Sequence, residues 1–353
     1  MPLTEPSWWY ADGPTFGSRA LSPLARLWGQ AAQRRFMSAN AVRVDVPVIC
    51  IGNLTAGGTG KTPLALHIAT RLAARGLGPA FLTRGYGGRL SGPHWVQPGH
   101  DRPDEVGDEP LLLARVAPTM VARDRVAGAR AIVSDGRATG AIIMDDGLQN
   151  GSLGKDLVLA VVDGRRGIGN GYVLPAGPLR APLDFQLGLV DAVIVNGAAS
   201  PMVGATGEHA FVTWLRGHFG GPVLRCVTRP TGDTSWLREQ AIVAYSGIGA
   251  PERFFSLLEA LGARLVLRRA FPDHHVFTER EASALLREAR DHDAILCTTE
   301  KDQARLAAAA GVVGELREAS RVMAVRLELA ERDDIRLDSL IEASLVARGA
   351  SLS

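Results

Sequence analysis

The sequence has few cysteines and no long apolar run. Its three cysteines, Cys50, Cys226 and Cys297, lie too far apart to form a C-x-x-C pair or the framework of a disulfide-rich secreted protein, which favours a reducing compartment. It contains no run of about 18 uncharged apolar residues, the length that a membrane-spanning helix needs. The first residues also lack the basic start and apolar core of a signal peptide. We therefore expect a cytoplasmic protein that does not span a bilayer.

An excess of charge of either sign is also missing. The 39 basic and 37 acidic side chains leave a net charge of +2, which excludes a general polyanion-binding surface and predicts no nucleic-acid partner. Lysine is rare, because Lys61, Lys155 and Lys301 are the only three and arginine supplies the remaining basic side chains. Hydrophobic residues are abundant, at 46% of 353 residues, which excludes disorder. The length suggests roughly two domains.

The first 44 residues differ in composition from the rest of the chain. They hold three of the six tryptophans, Trp8, Trp9 and Trp28. Helical spacing of apolar residues predicts an amphipathic helix over residues 21–35, with its arginines away from the apolar stripe. The stripe consists of Leu21, Leu24, Trp28 and Ala31. Such a helix either lies in a membrane interface or packs on its own domain, and the pattern alone leaves both readings open.

Beyond residue 44 the pattern is that of an α/β protein. Short apolar strands alternate with helical stretches from residue 45 to about 200, and uninterrupted apolar strands are typical of a parallel sheet covered on both faces. A second, smaller α/β series follows. We assign it to a domain of residues 201–332 that includes the linker strands. The last helix, at about 333–350, is expected to dock back on the first domain.

The sharpest motif is a glycine-rich loop between the first of these strands and a helix. Glycines let the backbone wrap around phosphate oxygens, and a lysine neutralises the terminal phosphates. The loop departs from G-x-x-x-x-G-K-[ST] only at its first position. It predicts a P-loop that binds nucleotide phosphates, in which the last hydroxyl is a ligand of Mg²⁺. Its residues are Thr55, Ala56, Gly57, Gly58, Thr59, Gly60, Lys61 and Thr62.

Two aspartates end a later apolar strand. Asp145 and Asp146 follow residues 141–144 and have the form of a Walker B segment, whose carboxylates hold Mg²⁺ directly or through water. Aspartates after a strand are also common turn formers, but pairing with a P-loop favours the metal reading. A guanine-specific N-K-x-D motif does not fit, because Lys301 and Asp302 are adjacent. The sequence therefore predicts a P-loop protein that binds a nucleotide with Mg²⁺, and the absence of this motif weakens the prediction of a GTPase.

Together the motifs resemble the tetraacyldisaccharide 4′-kinase family, the lipid A 4′-kinases of Gram-negative bacteria. The match extends from about residue 9 to residue 306 in the family's order. Its stretches are GNLTAGGTGKTP at 52–63, TRGYGG at 83–88, GDEP at 107–110, DDGLQ at 145–149, LPAGPLR at 174–180, FPDHH at 271–275 and TTEKD at 298–302. The threonine that opens the loop is itself similar to the family's usual form. Family members usually read Asp-Asp-Gly-Phe-Gln-His where this chain has Leu148 and Asn150, which argues against proton handling at the last of these positions.

The resemblance implies transfer of the ATP γ-phosphate to the 4′-hydroxyl of an acylated glucosamine disaccharide 1-phosphate, giving lipid IVA. It implies two P-loop-like α/β domains joined by a β-ribbon. It also implies that the N-terminal helix enters the cytoplasmic leaflet of the inner membrane, where the chain would be a peripheral, monotopic protein. We expect a monomer.

The resemblance also implies roles for single residues. Lys61 and Mg²⁺ hold the β- and γ-phosphates, Asp146 belongs to the catalytic set, and Asp108 with His274 prepares the sugar hydroxyl. Taken alone, Asp108 reads equally well as a helix N-cap and His274 as a turn residue. Since the two lie in different domains, we expect domain closure to assemble the site. Arg84 and Arg180 are expected to bind phosphate on ATP or on the acceptor.

Two other functions remain open from the sequence. One is a kinase with a soluble substrate, in which the tryptophan-rich start packs on its domain. The other is a P-loop ATPase that switches a partner protein. The sequence leaves open which of Asp145 and Asp146 contacts metal, which of Asp108 and His274 is the base, and what Lys301 does.

Overall fold

The computed structural model describes residues 5–11, 13–197 and 205–348. Its strands are β1 (Val48–Asn53), β2 (Pro79–Thr83), β3 (His94–Trp95), β4 (Thr119–Val121), β5 (Ala141–Asp145), β6 (Leu157–Asp163), β7 (Ala192–Gly197), β8 (Val223–Pro230), β9 (Ala241–Ser246), β10 (Arg264–Ala270), β11 (Ile295–Thr299), β12 (Ser320–Met323) and β13 (Val325–Leu329).

Helices connect most of these strands. They are α1 (Phe16–Met37), α2 (Lys61–Ala74), α3 (Pro103–Val106), α4 (Asp108–Leu113), α5 (Arg125–Asp135), α6 (Leu183–Leu187), α7 (Ala205–His218), α8 (Pro251–Ala260), α9 (Glu279–Asp291), α10 (Glu300–Arg305), α11 (Gly311–Ala319) and α12 (Glu331–Val346). Short 3₁₀ turns occupy Ser7–Tyr10 and Ser235–Leu237.

The larger sheet has nine strands in the order β13-β8-β7-β6-β1-β5-β2-β4-β3. Its seven central strands pair in parallel, and the edge strands β13 and β3 run antiparallel to their neighbours. Every residue of β1, β5, β6 and β7 is buried, which explains their continuous apolar sequences. Apolar clusters lie on both faces of the sheet, one including α5 and α7 and the other including α2 and α12.

The smaller sheet has four parallel strands in the order β10-β9-β11-β12. The chain enters it after β8 and leaves it at Ala324, between β12 and β13. Because β8 and β13 pair antiparallel, they form the ribbon that joins the two sheets. The predicted α/β fold, with a smaller second unit and a β-ribbon, is confirmed.

The ribbon differs from the predicted boundary in one respect. The sequence analysis assigned β8 and β13 to the second domain as linker strands, whereas the structure pairs β8 with β7 at the edge of the larger sheet. The reason is hydrophobic: Leu224, Cys226 and Leu327 are buried in the same apolar cluster as α2. The ribbon therefore belongs to the core of the first domain.

The N-terminal helix α1 packs through its small residues. Ser18, Ala25 and Gly29 are buried, and a β-carbon on Gly29 would lie 3.3 Å from Pro182. Its large apolar side chains point outward instead and include Phe16, Leu24, Leu27, Trp28 and Met37. Among the described helices, none is long and apolar enough to cross a membrane.

The C-terminal helix α12 packs against α2 and the larger sheet. Leu337 and Ile341 are buried in the cluster that contains α2, and Arg71 of α2 donates to Asp334 at 2.7 Å and also to Asp338. Because these ion pairs are partly exposed and contribute little, the apolar contacts supply most of the stability of this junction.

We expect Leu337→Ala to destabilise the chain by about 2–5 kcal/mol, because it leaves a cavity beneath α12. Ile335→Ala is the matched control, since Ile335 is 61% exposed on the same helix and its loss changes stability by less than about 0.5 kcal/mol. Urea unfolding followed by circular dichroism measures both effects. Equal unfolding midpoints for the two variants would contradict the packing described for α12.

Candidate active site

The loop between β1 and α2 has the backbone of a phosphate-binding loop. Gly57 and Gly60 adopt φ of +87° and +103°, in the left-handed region that favours glycine. Asn53 donates to the Gly57 carbonyl at 3.1 Å, and Asn196 at the end of β7 donates to the Thr59 carbonyl at 3.1 Å. Gly60, the N-cap of α2, has no side chain to cap the helix, so the first amide groups of α2 suit an anion.

A second segment, which contains Pro178 and Arg180, forms backbone hydrogen bonds to residues in and next to the loop. Pro178 accepts a hydrogen bond from the Ala56 amide at 2.8 Å, and the Arg180 amide donates to Leu54 at 2.9 Å. Thr55, the residue that departs from the usual loop pattern, forms an isolated antiparallel bridge with Leu179. The position therefore serves as a short strand contact, which requires no glycine.

The two aspartates that follow β5 have different environments. Asp145 is 1% exposed, and within the described chain neither of its carboxylate oxygens has a hydrogen-bond partner. Burial, together with the charge of Glu109, raises the pKa of Asp145 to about 7. An unpartnered buried carboxylate is costly, so this side chain is suited to a cation that the protein itself does not supply.

Asp146 is already compensated. Its carboxylate lies 3.6 Å from Nζ of Lys61 and accepts from Arg180 at 2.8 Å. Burial opposes ionisation, but the Lys61 and Arg180 charges outweigh it and hold the pKa of Asp146 well below its usual range. Asp146 therefore positions the loop lysine and Arg180, whereas Asp145 is left open to another ligand.

Asp108 and His274, which are far apart in sequence, meet across the gap between the two domains. His274 Nδ1 lies 3.1 Å from the buried Asp108 carboxylate. The His274 backbone has φ of +59°, which is uncommon for a non-glycine residue, and its ring lies 5.0 Å from the ring of Tyr86. Burial lowers and the Asp108 contact raises the pKa of His274, and the net direction is upward.

Arg305 of α10 holds the other side of Asp108. Its Nε donates to Asp108 at 2.6 Å, and its Nη1 donates to Asp302 at 2.7 Å and to the Gly247 carbonyl. Both Arg305 and Asp302 are almost fully buried. Although burial opposes it, His274 and Arg305 hold the pKa of Asp108 well below its usual range, so Asp108 stays ionised and is a weak proton acceptor.

Glu109 joins the phosphate loop to the second domain. Thr62 donates its hydroxyl to Glu109 Oε1 at 3.4 Å, and Lys301 of α10 donates to the same oxygen. Burial raises the pKa of Glu109, but the charges of Lys301 and Lys61 outweigh it and the net shift is downward. The Lys301–Glu109 contact is thus a further ion pair across the domain boundary.

The structure brings most of the predicted site residues together. Asp146 pairs with Lys61 of the loop and with Arg180, and Asp108 pairs with His274. Asp145 lies near Glu109, whose charge acts on it. Arg84 differs, because it is exposed on the turn after β2 and forms no hydrogen bond or ion pair among the described residues. The charge of Arg84 acts on Arg125, whose pKa is lowered by burial and further by Arg84.

Sequence reasoning missed Glu109 and Arg305 and assigned no role to Lys301. Glu109 follows Asp108 in the GDEP stretch, so a local signal was present, but the residue reads equally well as part of a helix start. Arg305 is one of many arginines, and nothing in its neighbourhood distinguishes it. The rarity of lysine marked Lys301 without identifying its partner.

A phosphate loop followed by buried carboxylates, with an imidazole–carboxylate pair facing it, defines a P-loop kinase. The family model described as tetraacyldisaccharide-1-P 4′-kinase matches residues 17–345. The chain belongs to this family, which confirms the family predicted from the motifs.

Individual relatives agree with this assignment. A tetraacyldisaccharide 4′-kinase of Methylobacterium sp. (strain 4-46) is 47% identical over 98% of this chain and 99% of its own length. One from Paramagnetospirillum magneticum is 44% identical over 92% of this chain and 94% of its own. The crystal structure of LpxK from Aquifex aeolicus in complex with ATP matches with a TM-score of 0.71 and 23% identity, covering 93% of this chain and 99% of that one. This last likeness establishes the fold.

We expect Gly60→Ala to weaken ATP binding at least about tenfold, because the variant combines left-handed backbone strain of about 1–2 kcal/mol with a steric clash. A β-carbon at this position would lie 2.4 Å from Nδ2 of Asn196. Gly76→Ala is the control, since Gly76 has φ of +74° but no atom within 4 Å of the added carbon. Titration with a fluorescent ATP analogue measures the affinities. Retained affinity in Gly60→Ala would contradict the loop geometry.

Proposed function

We propose that this chain transfers the γ-phosphoryl group of ATP to the 4′-hydroxyl of an acylated glucosamine disaccharide 1-phosphate, giving lipid IVA, with His274 as the proton acceptor. Membership of the tetraacyldisaccharide-1-P 4′-kinase family supports the reaction. The observation that carries the mechanism is the Asp108–His274 contact, at 3.1 Å across the domain boundary and beside the phosphate loop. An imidazole–carboxylate pair at this position can activate a hydroxyl nucleophile.

The proton acceptor follows from the electrostatics of this pair. Asp108 is held ionised by Arg305 and His274, so its affinity for a further proton is low. His274 uses Nδ1 toward Asp108, so Nε2, which lies 3.9 Å from Asp273 Oδ2, is the nitrogen that remains for the acceptor. In the reaction the 4′-oxygen bonds to the γ-phosphorus, the bond from that phosphorus to the ADP oxygen breaks, and the hydroxyl proton moves to Nε2 of His274. Asp108 orients the imidazole and stabilises its charged form.

The residues near the loop fit a magnesium ion. Thr62 and Asp145 would hold it, since Asp145 is a buried carboxylate with both oxygens unpartnered in the described chain. The described residues contain no cluster of three or more potential metal-binding His, Cys, Asp or Glu side chains, which suits a cation bound through few protein ligands. When bound, Mg²⁺ neutralises charge on the β- and γ-phosphates.

The basic groups around the loop would bind the phosphates. Lys61 lies at the start of α2, where it meets the β- and γ-phosphates, and Asp146 keeps both Lys61 and Arg180 in place. Arg180 and the exposed Arg84 are available to phosphate on ATP or to the 1-phosphate of the acceptor. These assignments explain why arginine, with its planar fork, occupies the peripheral positions and lysine the central one.

The acceptor is a lipid, and α1 provides a surface for it. The helix exposes large apolar side chains and carries four arginines with no acidic residue, a composition suited to an anionic membrane interface. We propose that α1 lies in the cytoplasmic leaflet of the inner membrane, so that the chain is peripheral and monotopic and functions as a monomer. The same exposure argues against a kinase for a soluble substrate, in which these side chains would be covered.

We expect purified protein with labelled ATP to place the label on the 4′ position of the acylated disaccharide. We expect His274→Ala to lower turnover at least about a hundredfold with little change in ATP affinity. Lys61→Ala is the comparison, because it removes a group that meets the phosphates. ATP hydrolysis without labelled lipid would contradict the proposed reaction. Equal losses of turnover and ATP affinity in His274→Ala would contradict its role as proton acceptor.

The pH profile provides a control for the assignment of the base. Because neutral His274 accepts the proton, kcat/KM should rise with pH through the raised pKa of His274, above its ordinary value of about 6.5. Asp108→Asn removes the charge that raises this pKa while burial remains, so the rising limb should move to lower pH and the plateau should fall. A limb that stays in place in Asp108→Asn would contradict the assignment.

We expect the double variant Leu24→Ser/Trp28→Ser to bind anionic phospholipid vesicles at least about tenfold more weakly, since each apolar side chain contributes roughly 1.5–3 kcal/mol when fully buried. Ile335→Ser is the matched control, because Ile335 is an exposed apolar residue of α12. Vesicle co-sedimentation measures binding. Undiminished binding by the double variant would place the membrane contact elsewhere.

A further inference from the structure

Lys301 is a lysine that the proposed reaction leaves without a role. It lies in the first turn of α10, in the second domain, and donates its ammonium hydrogen to Glu109 Oε1 of α4 in the first domain. It is one of only three lysines in the chain. Arg305 of the same helix donates to the neighbouring Asp108 at 2.6 Å. Each of the two cations of α10 therefore pairs with one of two adjacent carboxylates.

The partner of Lys301 contacts the phosphate loop. Thr62 lies 3.4 Å from the same Oε1 atom of Glu109, with its hydroxyl as the donor. A carboxylate without a proton only accepts, so the Thr62 hydrogen points toward Glu109. The lone pairs of the Thr62 oxygen then face away from Glu109, and lone pairs are what a cation needs from a hydroxyl ligand.

The Glu109 carboxylate stays in this position only if its charge is compensated. It is mostly buried and lies near Asp108 and Asp145, which repel it. Lys61, the other cation that acts on it, is paired with Asp146. Lys301 is therefore the cation that compensates the charge of Glu109 and holds it against Thr62.

We propose that Lys301 is a positioning residue that acts through Glu109 to orient the Thr62 hydroxyl for the nucleotide-bound divalent cation. The inference rests on the proposed function, in which Thr62 is a metal ligand. It also follows that the cation site is complete only when the second domain is seated on the first. Binding of the cation with its nucleotide and closure of the domains then favour each other, since coupling between two equilibria is reciprocal.

The test measures cation-dependent nucleotide binding, not turnover. A fluorescent ATP analogue is titrated into wild-type protein and Lys301→Met, with Mg²⁺ and with a chelator. We expect Lys301→Met to weaken binding in Mg²⁺ about 10–100-fold, the usual effect of removing a group that orients a metal ligand. Binding in the chelator should change by less than about threefold, because it depends on the loop and on Lys61. In Mg²⁺, the affinity of Lys301→Arg should fall between those of wild type and Lys301→Met, since the variant keeps the charge but alters the geometry.

Glu109→Gln tests the same series of contacts, from Lys301 through Glu109 to Thr62, by a change in the first domain. Lys301→Met/Glu109→Gln should lose less affinity in Mg²⁺ than the product of the two single losses, because both changes act through one contact. Arg290→Met is the control for a lost cation, since Arg290 is exposed and lies on α9, outside α10. Thermal unfolding of each variant identifies any that fail to fold, in which case Glu109→Gln alone provides the measurement.

The outcomes separate this inference from the proposed function. Wild-type binding that does not respond to Mg²⁺ would overturn the metal site itself. A normal response in both wild type and Lys301→Met would overturn the role of Lys301 and leave the metal site intact. Equal losses with Mg²⁺ and with the chelator, or fully multiplicative losses in the double variant, would also overturn it, because they would assign Lys301 a general structural effect.

Discussion

The site depends on the neutralisation of the negative charge of clustered carboxylates. The first domain supplies these carboxylates, and residues of both domains neutralise them. Asp108, Glu109, Asp145 and Asp146 lie around the phosphate loop, all in the first domain. Lys61 and Arg180 of that domain pair with Asp146, and the charge of Lys61 also acts on Glu109 and Asp145. His274, Lys301 and Arg305 of the second domain contact Asp108 and Glu109. An uncompensated buried carboxylate is costly, so the first domain alone would present an unfavourable excess of negative charge where ATP must bind.

Differences in how far neighbouring charges neutralise each group also give chemically similar groups different roles. Asp145 and Asp146 are adjacent, yet Asp146 pairs with two cations, whereas neither carboxylate oxygen of Asp145 has a hydrogen-bond partner among the described residues. One aspartate therefore organises the loop and the other remains open to a metal. Asp108 and His274 diverge in the same way, because Arg305 helps to keep the carboxylate ionised, which supports the proposed role of the imidazole as proton acceptor. Differences of environment, more than of residue type, assign the chemistry.

Packing of the N-terminal helix links this chemistry to a lipid acceptor. In α1 the small residues Ala25 and Gly29 face the protein, and a bulky residue there would collide with Pro182. This close approach turns the larger apolar side chains, such as Leu24 and Trp28, toward the outside. A simple apolar stripe at helical spacing would instead suggest that these side chains face the core. The orientation supports the proposed membrane contact.

The sequence by itself determined the features that are contiguous along the chain. The loop at 55–62, the buried strands and the aspartates after β5 can be read from neighbouring residues, because strand, turn and helix preferences are local. The parallel fold and the family followed from these motifs and their order. The pairing of Asp108 with His274 was proposed only by resemblance, since nothing in the intervening chain relates them.

Only the tertiary structure decided which distant residues meet. Lys301 contacts Glu109 and Arg305 contacts Asp108 because α10 and α4 lie together at the domain boundary, and no local pattern encodes that contact. The structure likewise placed β8 and β13 in the larger sheet and left Arg84 without a partner among the described residues. The physical reason is that burial and charge compensation are sums over neighbours in space, which the order of residues along the chain specifies only through the complete fold.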